Sequence, residues 1–380
     1  MRSFRPPGVP VVTGAVSRFS PPSARALVVG LAPALVYLGV RGVGLLIAWV
    51  MAWVNSRSLL DVLTSWDAAW LLSIADNGYS GVSSDHLDTF GHHTATTALA
   101  FFPGYPYLVR VLSSVGINTL AVALTVSLIA GVAGAYGLVR LTQVMGLTRR
   151  AGLVLIVLFA SAPLSIVLSM PYTEALFCAL AVWTLIGVLA DRWILAAVLC
   201  ILAGLVRPTG LVLALVVCAA AGRRIVTGGA STRAGARVWI ALVSAPLGIV
   251  GFLSYVALRT DRWDGWLHLQ HQGWGSSYDL GRATLLDSAA ILASSPDAML
   301  VITVAVVGGY LALAVVAIRD KLSWPVVAYG IGATLMAVQS SVIMNSKARL
   351  LLVAFTLLIP LAVRIAQKDT KTVVITAAVS

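Results

Sequence analysis

The chain has 380 residues, 59% of them hydrophobic and 11% charged, and its mean hydropathy is +0.95. These values exclude a soluble globular domain and predict an all-α polytopic integral membrane protein. The 26 lysines and arginines outnumber the 14 acidic residues, but they cluster in short groups between apolar runs, as orientation signals do, and this excludes nucleic acid as the partner.

In chain order, residues 1–25 are rich in Arg, Pro and Ser, with PPGVP and SPPS. Such a segment cannot pack a core and is expected to be a cytoplasmic tail. The run that follows is too long for a cleaved signal peptide and carries Arg41. Apolar runs at 26–53, 118–143, 151–169, 173–190, 237–258, 298–318, 324–343 and 350–363 each suit a crossing of roughly 30 Å of hydrocarbon. Between 193 and 222 the apolar sequence is interrupted by Arg207-Pro208-Thr209. Two short passes there keep Arg149, Arg150, Arg223, Arg224, Arg319, Lys321, Arg364 and Lys368 on one side, as the positive-inside rule requires. The expectation is therefore about ten spans in one domain, 26–368, with a cytoplasmic N-terminus, loops at about 56–117 and 260–297 carrying short interfacial helices, and a C-terminal tail at 369–380. Cys178, Cys200 and Cys218 lie inside apolar runs without paired spacing, so neither a disulfide framework nor a zinc site is indicated.

With this topology the acidic residues fall almost entirely on the outer, extracytoplasmic face: only Asp191, Asp320 and Asp369 do not, and Glu174 is the sole glutamate. The polar chemistry belongs there. The stretch 65–79, SWDAAWLLSIADNGY, is expected to form a helix of about three turns. Ser65 is its expected cap, Asp67 lies in the first turn, and Asn77-Gly78 is the stop. Asp67 shares a face with Trp70, Leu71 and Ile74, whereas Asp76 lies near the exposed end. Two readings remain open on this pattern alone. Asp67 complements the helix dipole while Trp66 and Trp70 join an interfacial aromatic belt, or it is a partly desolvated carboxylate that takes a proton from a hydroxyl nucleophile.

The same stretch resembles the tryptophan-aspartate motif of the PIG-V-like mannosyltransferases. The resemblance continues in order through AFFPGYPYLVR at 100–110, SMPYTEALF at 169–177, LAGLVRPTGL at 202–211 and SKARLLLVAFTLLIPLA at 346–362. It implies a glycosyltransferase of the C superfamily (GT-C), multispanning and of actinobacterial type, working at the extracytoplasmic face of the inner or plasma membrane with a polyprenyl-phosphate sugar. Asp67 matches the catalytic aspartate of that motif. The absence of a P-loop or a Gly-rich dinucleotide turn agrees with a donor that is not a nucleotide sugar.

Such a reaction needs a base, cations for the departing phosphate, and a surface for sugar and lipid. Lys347 and Arg349, on a side the positive-inside rule leaves uncharged, are candidates for the donor phosphate, with ordinary snorkelling as the alternative. Arg207 is a third candidate, binding phosphate or pairing with Glu174. Glu174 and Tyr172 belong to the PYTE segment, although a carboxylate at that place also suits a helix N-terminus. Trp274 lies in the Trp- and His-rich segment 263–278, whose aromatic faces suit either a sugar or the membrane interface. Arg41, inside a span, requires a partner. The loop with His86, His92 and His93 matches no standard metal spacing, and the expectation for cofactors is none required, with a divalent cation, Mg²⁺ or Mn²⁺, admitted. The expected activity is inverting transfer of mannose to a lipid-linked or protein acceptor. The rivals are arabinofuranose or glucose on the same fold, and a polyprenol transporter that would need Arg41 in midspan.

Overall fold

Apart from one antiparallel bridge between Tyr278 and Ser340, the regular elements among the described residues are helices. The computed structural model describes residues 24–227, 232–294 and 297–368. The expected tails, 1–25 and 369–380, lie outside that range except that a helix already begins at Ala24. By contact density the chain divides into Met1–Ala32, described only as the start of that helix, and Pro33–Ser380, which holds all the other elements.

The helices in order are α1 (Ala24–Val54), α2 (Leu59–Leu63), α3 (Asp67–Asn77), α4 (Gly104–Ser113), α5 (Thr119–Val144), α6 (Arg149–Ala160), α7 (Glu174–Leu189), α8 (Trp193–Val206) and α9 (Gly210–Thr227). They continue as α10 (Thr232–Ser244), α11 (Leu247–Thr260), α12 (Gly265–Trp274), α13 (Arg282–Ala293), α14 (Ala298–Arg319), α15 (Trp324–Val338), α16 (Met344–Leu351) and α17 (Ile359–Ala366). Local chemistry sets many of the ends. Asn118 and Thr148 accept the Ala121 and Ala151 N–H groups at the starts of α5 and α6, and Gly78, at φ +71°, closes α3 where Asn77-Gly78 was expected to stop it.

Six helical segments among the described residues are long and apolar enough to cross a membrane: Val28–Val54, Thr119–Val144, Gly210–Thr227, Gly235–Thr260, Ala298–Arg319 and Met344–Ala366. Three apolar helices, α7, α8 and α15, are shorter. The expected count of about ten is therefore not confirmed, because the runs at 151–169, 173–190, 193–206 and 324–343 form helices of only 12, 16, 14 and 15 residues. The run 151–169 is helical only to Ala160; beyond Pro163 it becomes a 3-10 turn, Ser165–Ser169. The run 350–363 falls across α16, a 3-10 segment Leu352–Leu358 kinked at Ala354, and α17. Residues 193–222 do form two helices, interrupted at Arg207-Pro208-Thr209, and they pack against each other.

The main core joins α5, α6, α7, α8, α9, α15 and the last helices. Glycine also lets α11 approach α8 closely: a Cβ on Gly248 of α11 would sit 1.9 Å from the Ile201 carbonyl oxygen of α8. Only a bare backbone admits that contact. Arg41 is buried in this region. Its Nη1 donates to the Ala160 carbonyl oxygen at 2.8 Å and to Ser165 Oγ at 3.0 Å, and its Nε donates to Ser169 Oγ at 2.8 Å. The cation thus serves a helix C-terminus and ties down the turn that leads to Tyr172 and Glu174.

The charged residues sort onto two ends. At one, Arg364 bridges to Asp320 at 2.7 Å, Arg224 to Asp191 at 3.4 Å, and Arg150 donates to the Lys368 carbonyl oxygen at 2.9 Å. The opposite ends of the same helices bring together residues 65–67, 172–174, 207 and 349.

Candidate active site

Four helix ends converge there, and their polarity explains the residues they carry. Asp67 is the first residue of α3 and Glu174 the first of α7, where a carboxylate faces the positive end of the helix dipole. Arg207 is the C-cap of α8 and Arg349 lies in the last turn of α16, where a guanidinium meets the negative end. The four side chains alternate in sign. Arg349 Nη1 donates to Asp67 Oδ2, Arg349 Nε lies 3.7 Å from Glu174 Oε1, and Arg207 Nη1 lies 2.6 Å from the same oxygen.

Access is greatest at the Asp67 end of this row and vanishes at Glu174. The Asp67 side chain is 32% exposed, Arg349 18%, Arg207 9% and Glu174 0%. Asp67 is the member a solvent-borne or membrane-surface hydroxyl can reach, and Glu174 is the buried anchor. Thr173 Oγ1 accepts from Arg207 Nη1 at 2.7 Å and donates to Glu174 Oε2 at 3.4 Å. This residue was not singled out from the sequence; its place in PYTE is the signal that could have found it.

Tyr172 supports the exposed end. Its hydroxyl accepts the Asp67 N–H at 3.2 Å and donates to the Ser65 carbonyl oxygen at 3.4 Å, and its ring lies 5.3 Å from the Arg349 guanidinium carbon. Burial raises the pKa of this phenol above its ordinary value, and the neighbouring Asp67 carboxylate raises it further, so it stays a neutral hydrogen-bonding group. Ser65 does not cap α3 as expected. Its hydroxyl donates to the Val62 carbonyl oxygen, and the N-cap is Trp66 at φ +57°. That conformation is costly for a side-chain-bearing residue, and it leaves the Trp66 indole exposed beside Asp67.

The other expected site residues lie elsewhere. Lys347 is fully buried, and its ammonium donates to the carbonyl oxygens of Ser340 at 2.6 Å and Ala337 at 3.3 Å. It is only two residues from Arg349, but two helical steps turn the side chain by about 200°, away from Asp67. Asp76 sits at the far end of α3 and accepts from the Thr119 hydroxyl. Trp274 packs edge-to-face on Trp70 at 6.0 Å and on Phe101 at 5.4 Å. His93 stacks on the same Trp70, and its Nδ1 lies 2.8 Å from the His86 carbonyl oxygen. These contacts make the His-rich loop part of an aromatic cluster behind α3. No group of three His, Cys, Asp or Glu side chains among the described residues is placed to hold a metal ion.

Two apolar cavities, of about 540 and 360 Å³, run side by side along α4 and α8 and share Pro103, Tyr107 and Leu205. The larger is also lined by Leu176 and Val206, two residues from Glu174 and one from Arg207.

The family description Mannosyltransferase (PIG-V) matches residues 46–256. Among curated proteins no relative matches. Among solved structures the fold is similar to that of ArnT from Cupriavidus metallidurans, determined bound to undecaprenyl phosphate, with a TM-score of 0.54 and 13% identity over 91% of this chain. The present chain spans 63% of that protein's length.

Proposed function

Because the chain belongs to the PIG-V mannosyltransferase family, we propose that it transfers mannose from a polyprenyl-phosphate carrier to a hydroxyl of a lipid-linked or protein acceptor, at the extracytoplasmic face and with inversion. The observation that carries this reading is the pairing of one reachable carboxylate, Asp67, with two guanidiniums, Arg349 and Arg207, at helix ends whose neighbouring residues Leu176 and Val206 line an apolar groove.

The acceptor oxygen attacks the sugar carbon and its proton passes to Asp67. The bond from that carbon to the phosphate oxygen breaks, the electron pair goes to the phosphate, and the polyprenyl phosphate leaves. Arg349 and Arg207 offset the charge that develops on it. The polyprenyl chain lies in the groove beside Leu176 and Val206, and the ArnT structure with undecaprenyl phosphate supports a carrier of this class. The face assignment rests on the basic residues at the opposite end, which belong in the cytoplasm. Arg41, held by the end of α6 and by two serines, positions the turn before Tyr172, and this favours an enzyme over a transporter that moves charge through midspan.

The test uses purified protein in liposomes fused with membranes from a strain lacking the gene. Polyprenyl-phosphate mannose labelled in the sugar should yield a labelled membrane product, and labelled GDP-mannose should not. Labelling from GDP-mannose alone, or from a polyprenyl-phosphate arabinofuranose or glucose in place of mannose, would overturn the donor assignment.

A further inference from the structure

Resting on that reading, we propose that Arg349 is a shared counter-ion that Asp67 and the donor phosphate compete for, so that proton uptake by Asp67 and departure of the phosphate are coupled through one side chain. Arg349 is a positioning residue toward the base and a binding residue toward the phosphate.

The geometry points to this in three ways. Arg349 holds Asp67 directly through Nη1, so in the structure one oxygen of the expected base is already occupied by a cation. Glu174, on the other side of Arg349, is fully buried, and its Oε1 lies 2.6 Å from Arg207 Nη1 but 3.7 Å from Arg349 Nε, so Arg207 is its nearer cation and Arg349 is the more loosely held. The buried Nε atoms of Arg349 and of Arg207 have no hydrogen-bond partner, and neither does Glu174 Oε1, which the two guanidiniums face without forming a hydrogen bond. A buried N–H left unspent on each of two guanidiniums is costly unless a further acceptor arrives.

The row as it stands is neutral: two arginines, one aspartate and one glutamate. A donor phosphodiester brings one negative charge, and after transfer the phosphomonoester carries close to a second. In the same step Asp67 becomes neutral by accepting the acceptor's proton. The total charge is unchanged, but one unit of negative charge moves from Asp67 to the phosphate, past the same guanidinium. Tyr172 is neutral, and Glu174 and Arg207 balance each other. Arg349 is thus the one cation of the row whose anionic partner is lost during the reaction, and it is free to follow the charge.

The consequence is counterintuitive: removing the charge of the base should tighten product binding. Undecaprenyl phosphate is titrated onto purified protein in nanodiscs for wild type, Asp67→Asn, Arg349→Gln and the double variant. Asp67→Asn should bind about tenfold more tightly than wild type, and Arg349→Gln about tenfold more weakly. In the Arg349→Gln background the Asp67→Asn change should alter affinity by less than about twofold. Should Arg349→Gln fail to fold, Arg349→Lys takes its place, and there the gain should shrink to about threefold. Equal tightening with and without Arg349 would mean only that a nearby negative charge had gone, and would overturn the proposal, as would no tightening at all. Failure of the wild type to bind undecaprenyl phosphate would instead remove the donor assignment on which the proposal rests.

Discussion

Asp67→Asn should lower turnover by about a hundredfold or more while leaving the protein folded. The amide has the size of the carboxylate and keeps the start of α3, but it cannot accept a proton from the attacking hydroxyl. The cost to stability should be small, because a partly exposed carboxylate at a helix N-terminus contributes about 1 kcal/mol or less. If Asp67 only complements the dipole, the ranking reverses, with a modest loss of stability and nearly normal turnover per folded molecule. Asp76→Asn is the internal comparison. Asp76 is anchored by Thr119 at the far end of the same helix, so its replacement should leave turnover within a few-fold of wild type. Initial rates at matched amounts of folded protein separate the two accounts.

Glu174→Ala should have the largest effect on stability, a loss of about 3–5 kcal/mol, the usual consequence of stranding a buried partner charge. Glu174 is fully buried, and Arg207, at 2.6 Å, is itself nearly so. Without the carboxylate, two guanidiniums approach one another in a site with little solvent to screen them. Replacing Glu174 and Arg207 together by glutamine should recover part of the loss, because the stranded charge is then removed as well. Thermal unfolding of the single and double variants in the same lipid measures this. A Glu174→Ala protein as stable as wild type would contradict the assignment of Glu174 as the anchor of the cluster.

Much of this site was legible as a set of helix ends. Asp67 and Glu174 read as first-turn carboxylates, and the Arg207-Pro208-Thr209 interruption read as a turn between two short helices; the structure has each in that place. Arg349 and Asp67 are separated by 282 positions, so their direct pairing is a tertiary fact that no local pattern announces. The same limit applies to Lys347. Its spacing from Arg349 indicates that the two side chains diverge, but not which of them faces Asp67. The partners of Arg41 were also invisible, since they come from the end of α6 and the turn after it. Ser65 was expected to cap α3 because serine usually wins that position. Here the chain enters the helix through Trp66 in a left-handed conformation, and the Tyr172 hydroxyl takes the Asp67 N–H in place of a side-chain cap. The span count is not confirmed for a different reason: hydropathy does not register where a helix ends inside an apolar run, as at Pro163, so that α6, α7, α8 and α15 are shorter than the runs that contain them.

The most direct test of single displacement assisted by Asp67 is the anomeric configuration of the transferred sugar. Starting from a donor of defined configuration, the one-bond carbon–hydrogen coupling at the anomeric centre of the product, read by NMR on ¹³C-labelled mannose, should show inversion. Retention of the donor's configuration would require a covalent or ion-pair intermediate in place of direct attack by the acceptor, and would contradict the role given to Asp67.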